Sequence, residues 1–115
     1  MTRRDPRVRL LHMRDFARKA IEMAAGRMRS ELESNEMLRL ALTHLVELVG
    51  EAAAQVPEEV RQNYPQIPWP KVVGMRHHLI HGYDLVDCDI LWDTIIKDLP
   101  GFVETLEAIV GGEAQ

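Results

Sequence analysis

The chain has 115 residues, 46% of them hydrophobic, with a formal net charge of −4 and a single cysteine, Cys88. That length sets one domain, residues 1–115, whose core gains from a partner, and one cysteine excludes a disulfide framework and fits a reducing cytoplasm. No apolar run approaches the ~18–20 residues that span a bilayer, and Met1-Thr2-Arg3-Arg4 leads into no apolar signal segment, so a cytoplasmic protein away from membranes is expected.

Two Trp, two Tyr and two Phe, with six prolines outside the periodic segments, indicate an all-α fold: an antiparallel bundle of four main helices plus one short helical turn. Charge is unevenly spread. Residues 1–29 hold nine Arg/Lys against three Asp/Glu, and residues 30–115 hold five against fifteen. Either the first helix offers a surface to a polyanion, or Arg3, Arg4, Arg7, Arg9, Arg14 and Arg18 pair with the acidic remainder; the pattern fits both.

In chain order, a basic arm (1–5) precedes Asp5-Pro6, a helix start with Asp as N-cap and Pro in the first turn. Leu10, Met13, Ala17, Ala20, Ala24 and Met28 follow three-and-four spacing, so a first helix is expected to end near Arg29, with Met13, Met23 and Met28 as core filler. His12 lies beside the stripe as a solvated or packed residue. Ser34 or Asn35 caps a second helix carried by Leu38, Ala41, Leu45, Leu48, Ala52 and Val56 and ended by Pro57. Gly50 inside it costs about 1 kcal/mol against alanine, which points to close approach by another backbone. Glu51 beside it is either a solvated helix residue or a carboxylate orienting an active-site Arg or His.

Pro57-Glu58-Glu59-Val60-Arg61 reads as one helical turn, and Tyr64-Pro65-Gln66-Ile67-Pro68-Trp69-Pro70 as an apolar connector with Trp69 as a buried anchor. A third helix runs from Trp69 or Pro70 to Ile80, with Val72, Val73, Met75 and Leu79 inward. Asp87 caps the last helix, carried by Leu91, Ile95, Leu99, Phe102, Leu106 and Ile109, with a kink or break at Pro100-Gly101 and a frayed tail over 111–115.

The chemistry-bearing stretch is Met75-Arg76-His77-His78-Leu79-Ile80-His81-Gly82-Tyr83-Asp84. Five residues separate Arg76 from His81, about 140° around a helix, so they flank one site only if the helix ends between them; Gly82 is the natural terminator, leaving His81 and Tyr83 on an irregular edge. Histidine exchanges protons near neutrality and arginine offers phosphate a planar fork of donors, a pairing suited to phosphodiester cleavage. An Arg and a His alone recur by chance and equally suit a helix C-terminus. The three histidines have no matching carboxylate or thiol cluster, so no metal and no cofactor is expected.

Taken with its surroundings, the stretch is more specific. Val49-Gly50-Glu51-Ala52, Ile67-Pro68-Trp69, Arg76-x4-His81-x-Tyr83, Val86-Asp87 and Leu91-Trp92 come in the order found in HepT-like toxins of the HEPN superfamily, which the chain resembles over nearly its whole length. His77 departs from the asparagine most common there, which bears on the role of position 77. The resemblance implies a homodimer with two Arg-x4-His edges facing across a cleft, and a metal-independent endoribonuclease. Arg76 would hold the phosphate and His81 act as general acid/base, supported by His77 or His78. It also implies a minimal nucleotidyltransferase antitoxin that adenylylates Tyr83. The alternative is a non-catalytic subunit that presents a nucleotide or substrate to such a nucleotidyltransferase, which the overall acidity favours.

Overall fold

The computed structural model describes residues 5–81 and 85–113. Its elements are α1 (Pro6–Ala24), α2 (Glu31–Ser34), α3 (Glu36–Ala54), α4 (Glu58–Arg61), α5 (Trp69–Val73), α6 (Met75–Leu79), β1 (Ile80–His81), β2 (Leu85–Val86), α7 (Cys88–Asp93), a π turn (Thr94–Asp98) and α8 (Leu99–Glu113). The fold is all-α. Its long members are α1, α3, the α5–α6 run and the α7–α8 run, with α1 packed on both α3 and α8, and α5 and α6 on α3.

The caps form where the side chains allow. Asp5 accepts from the Arg7 N–H at 2.9 Å, Asn35 from Leu38 at 3.0 Å and Asp87 from Ile90 at 3.0 Å, each satisfying a donor that the first turn leaves open. Asn35 therefore caps α3, and Ser34 ends α2. The first helix stops at Ala24, five residues short of Arg29, because Gly26 takes φ +74 and turns the chain into α2. Met28 and Met23 consequently stay outside, 67% and 39% exposed, and only Met13 of the three methionines fills the core.

The buried face of α3 is Leu38, Leu42, Leu45, Val46, Val49 and Ala53. Of the expected stripe Leu38, Leu45, Ala52 and Val56 are buried, while Ala41 and Leu48 are only half-buried, because the inward face is centred on Leu42, Val46, Val49 and Ala53 beside it. The close approach at Gly50 is present: a Cβ there would stand 3.2 Å from the Val72 carbonyl oxygen and 3.4 Å from that of Val73. Gly50→Ala should cost little, since about 1 kcal/mol of helix propensity offsets the tight contact. Gly50→Val adds two methyls against backbone that cannot rotate away, and should lower stability by about 1–3 kcal/mol relative to Ala. Thermal melting of the two variants decides the point: equal midpoints would mean the contact yields freely.

Past Asp87 the helix runs on through Pro100 and Gly101, with no break. A helical proline lacks an N–H and its ring crowds the carbonyl four residues back. The chain accommodates this one turn earlier, by widening into the π turn in which the Leu99 N–H reaches the Thr94 carbonyl.

Candidate functional site

Trp69 sets the position of the stretch that follows it. It is 7% exposed, its indole Nε1 donates to the Arg61 carbonyl at 3.2 Å and to that of Tyr64 at 3.1 Å, and the Arg61 guanidinium lies 5.6 Å from the ring centre. From this anchor α5 runs to Gly74, where the expected single helix is interrupted, and α6 resumes at Met75. Val72, Met75 and Leu79, at three-and-four spacing, are buried and hold the run against the core; His77 is exposed on the opposite side, its N–H donating to the Gly74 carbonyl at 2.9 Å.

The helix ends at Leu79, before Gly82. Ile80 and His81 are not an irregular edge: they pair antiparallel with Val86 and Leu85, and the Asp87 N–H closes the ladder on the Leu79 carbonyl at 2.6 Å. Period-2 pairing over only two residues leaves no sequence signal, whereas the ladder satisfies backbone groups that a helix end exposes. Arg76 is thus carried on a helix and His81 on the strand that continues it, the change of backbone between them that a shared site requires. The side chains of Arg76, His78 and His81 lie outside the described residues, and Tyr83 lies outside them altogether.

Glu51 follows Gly50 on α3, one residue from the contact with the end of α5. It is exposed, partnered, and accepts from Gln55 Nε2 at 3.4 Å.

Two features escaped sequence reasoning. Met37, Leu40, Ala41 and Leu48, with His44 among them, form a second stripe on α3 beside the buried one: Met37 is 83% and Leu40 54% exposed, and Ala41 and Leu48 are half-buried. An apolar groove beside it is lined by Lys19, Glu22 and Met23 of α1 with Ala41, His44 and Leu45 of α3. The signal was in the sequence, since α3 carries more apolar positions than one stripe needs. The second feature is a cavity between α5–α6 and the start of α8, which no motif announces.

The basic N-terminal third is partly paired. Arg14 meets Asp15 at 3.0 Å, Arg18 meets Glu107 at 3.8 Å, Arg27 meets Glu31 at 3.4 Å, and Arg29 bonds both Asp89 and Glu33. The Asp89 bond, then that of Glu33, holds the Arg29 guanidinium above its ordinary range. Arg7 and Arg9 form no ion pair among the described residues, and Arg3 and Arg4 lie outside them. Exposed pairs contribute about 0–1 kcal/mol, so those present leave the surface open to competition from phosphate. No helix among the described residues is long and apolar enough to cross a membrane.

Residues 13–109 match the family model described as "Ribonuclease HepT-like". Similar proteins include "Putative RNase MJ1380" of Methanocaldococcus jannaschii, 30% identical over 95% of this chain and 100% of that one. "Putative RNase TTE0752" of Caldanaerobacter subterraneus is 32% identical over 94% of this chain and 96% of its own. "Probable ribonuclease HepT" of Thermococcus cleftensis is 34% identical over 62% of this chain and 64% of its own. No solved structure matches the chain.

Proposed function

Because this chain belongs to the HepT-like ribonuclease family of the HEPN superfamily, we propose that it is the toxin of a toxin–antitoxin pair, a metal-independent endoribonuclease acting in the cytoplasm through Arg76 and His81. The observation that carries this reading is the placement of Arg76 on α6 and His81 on the strand that continues it, in a chain matching the family over 13–109. His81 removes the proton of an RNA 2′-hydroxyl. The 2′-oxygen bonds to phosphorus, the bond to the 5′-oxygen breaks, and that oxygen leaves with a proton. The products are a 2′,3′-cyclic phosphate and a 5′-hydroxyl. Arg76 stabilises charge gathering on the phosphate. His77, exposed on the motif helix, or His78 delivers the second proton, and Glu51 orients a cationic member of the site.

The working unit in this reading is a homodimer joined through the outer face of α3. Support comes from the second apolar stripe, which one chain leaves uncovered. α1 flanks that stripe on one side, while α5 and α6 lie around α3 on the other. A two-fold axis perpendicular to α3 sets α6 opposite its partner's α6 and joins both motifs in one cleft. An axis parallel to α3 would set α6 opposite α1 and separate them.

Control falls to a nucleotidyltransferase antitoxin. The Tyr83 oxygen bonds to the α-phosphorus of ATP and pyrophosphate leaves; the added adenylate brings bulk and negative charge to the place where RNA phosphate binds. Expression alone should arrest growth, with rescue by the active nucleotidyltransferase. Tyr83→Phe should keep most RNA cleavage and lose the rescue, with adenylate found on Tyr83 of the wild type by mass spectrometry. Rescue of the Phe variant would remove Tyr83 as the switch. Harmless expression without RNA cleavage would favour a binding subunit over an enzyme.

A further inference from the structure

Between the motif run and the last helix lies a cavity of about 250 Å³, lined by Lys71, Val72, Met75, Lys97, Asp98 and Phe102, with Gly101 and Thr105 on the α8 side. We propose that it is a nucleotide subsite, holding one base and its flanking phosphates next to the bond that Arg76 and His81 cleave; the inference rests on the ribonuclease reading. Met75 immediately precedes Arg76 on α6, so a ligand in the cavity is held by the helix that carries the motif.

The chemistry of the lining matches a nucleotide. Val72, Met75 and Phe102, 1%, 7% and 7% exposed, form the apolar floor of the cavity, against which the edge of a base rests. Lys71 and Lys97 are exposed at the rim, their side chains 61% and 71% accessible. They are held by Asp98 at 3.4 Å and Asp93 at 3.5 Å, exposed pairs that phosphate displaces readily. The π turn is the second observation. It brings Lys97 and Asp98 to the cavity rim, and such turns recur at functional sites. Gly101 borders the cavity and is exposed, and a Cβ there would meet nothing within 4 Å, so a side chain can be added at this rim without a clash.

The polar groups also select among bases. The Thr105 hydroxyl donates its one hydrogen to the Gly101 carbonyl at 3.1 Å, and so meets a ligand only as an acceptor. The Asp98 carboxylate likewise only accepts. Two acceptors on the wall formed by the π turn and α8 favour a base with an exocyclic amino group, adenine, cytosine or guanine, over uracil, whose pairing edge offers a single N–H.

The test uses Gly101→Leu, which fills the cavity from a helical position free of backbone strain. The full-length protein is titrated with short 2′-O-methyl oligonucleotides of A, C or U, which bind and are not cut, and separately with AMP. Cleavage of unmodified RNA is followed in parallel. The wild type should bind the A and C oligonucleotides more tightly than U, and Gly101→Leu should weaken that binding about tenfold, at unchanged melting temperature, with KM raised more than kcat is lowered. Lys97→Gln should reduce the salt dependence by about one phosphate, ~0.7 in the logarithmic slope. AMP binding lost in Gly101→Leu without oligonucleotide binding would assign the cavity to a free nucleotide. Equal affinities and KM in wild type and Gly101→Leu would overturn the subsite while leaving the ribonuclease standing. A wild type that neither binds nor cuts RNA would instead remove the ribonuclease reading.

Discussion

Arg76→Ala and His81→Ala are each expected to abolish RNA cleavage and growth arrest while leaving the melting temperature within a degree or two of wild type. A positioned general acid/base contributes about 10²–10⁴ in rate, and loss of a donor to the developing phosphate charge about 10²–10³. The buried stripe that holds the motif run to the core is Val72, Met75 and Leu79, none of which is altered. The ladder that fixes His81 is made by backbone groups, which alanine retains. Assay of cyclic-phosphate product and a thermal melt on the same samples separate chemistry from folding. A variant that melts many degrees lower would make the motif structural. Unchanged cleavage by either variant would place the chemistry elsewhere. His77→Asn, which installs the commoner family residue at an exposed position, should remain active; its inactivity would assign the second proton transfer to His77.

Much of the framework was legible in the sequence because caps and punctuation act locally. Asp5, Asn35 and Asp87 can each accept from a backbone N–H two or three residues on, and each does. Trp69 between prolines reads as a buried anchor, and its indole finds two carbonyls. Gly50 within a helix implied a close neighbour, and the Val72 carbonyl is there. The change of backbone expected between Arg76 and His81 is present, the helix ending at Leu79 and Ile80–His81 forming a strand.

What was not legible depends on tertiary context. The two-residue ladder after Leu79 is too short for any periodicity, so the terminating role fell wrongly to Gly82. The π turn is a response to Pro100 that appears upstream of the proline, where sequence gives no sign of it. The early end of α1 follows from the positive φ of Gly26, and a glycine in an apolar periodic run can be read either way. The two faces of α3 were merged, because Ala41 and Leu48 lie close enough around the helix to the buried stripe to be counted with it. Only packing shows which apolar residues the fold covers and which it leaves for something else.

Leu40→Glu is expected to convert the protein from a dimer to a species of 13.2 kDa and to remove cleavage with the monomer intact. Leu40 is 54% exposed within the chain, so a charged side chain there should change folding stability by no more than about 0.5 kcal/mol. In the proposed dimer the same position would be covered by the partner's α3, where glutamate must lose its water, a cost incurred twice across a two-fold axis. If the site is composite, activity then falls with the dimer fraction, and raising the protein concentration should restore it. Light scattering and cleavage measured across the same dilution series give the comparison. A Leu40→Glu protein that stays dimeric and active would exclude this face as the subunit contact. One that stays dimeric but no longer binds the nucleotidyltransferase would assign the stripe to the antitoxin, and the two motifs would have to meet by another surface.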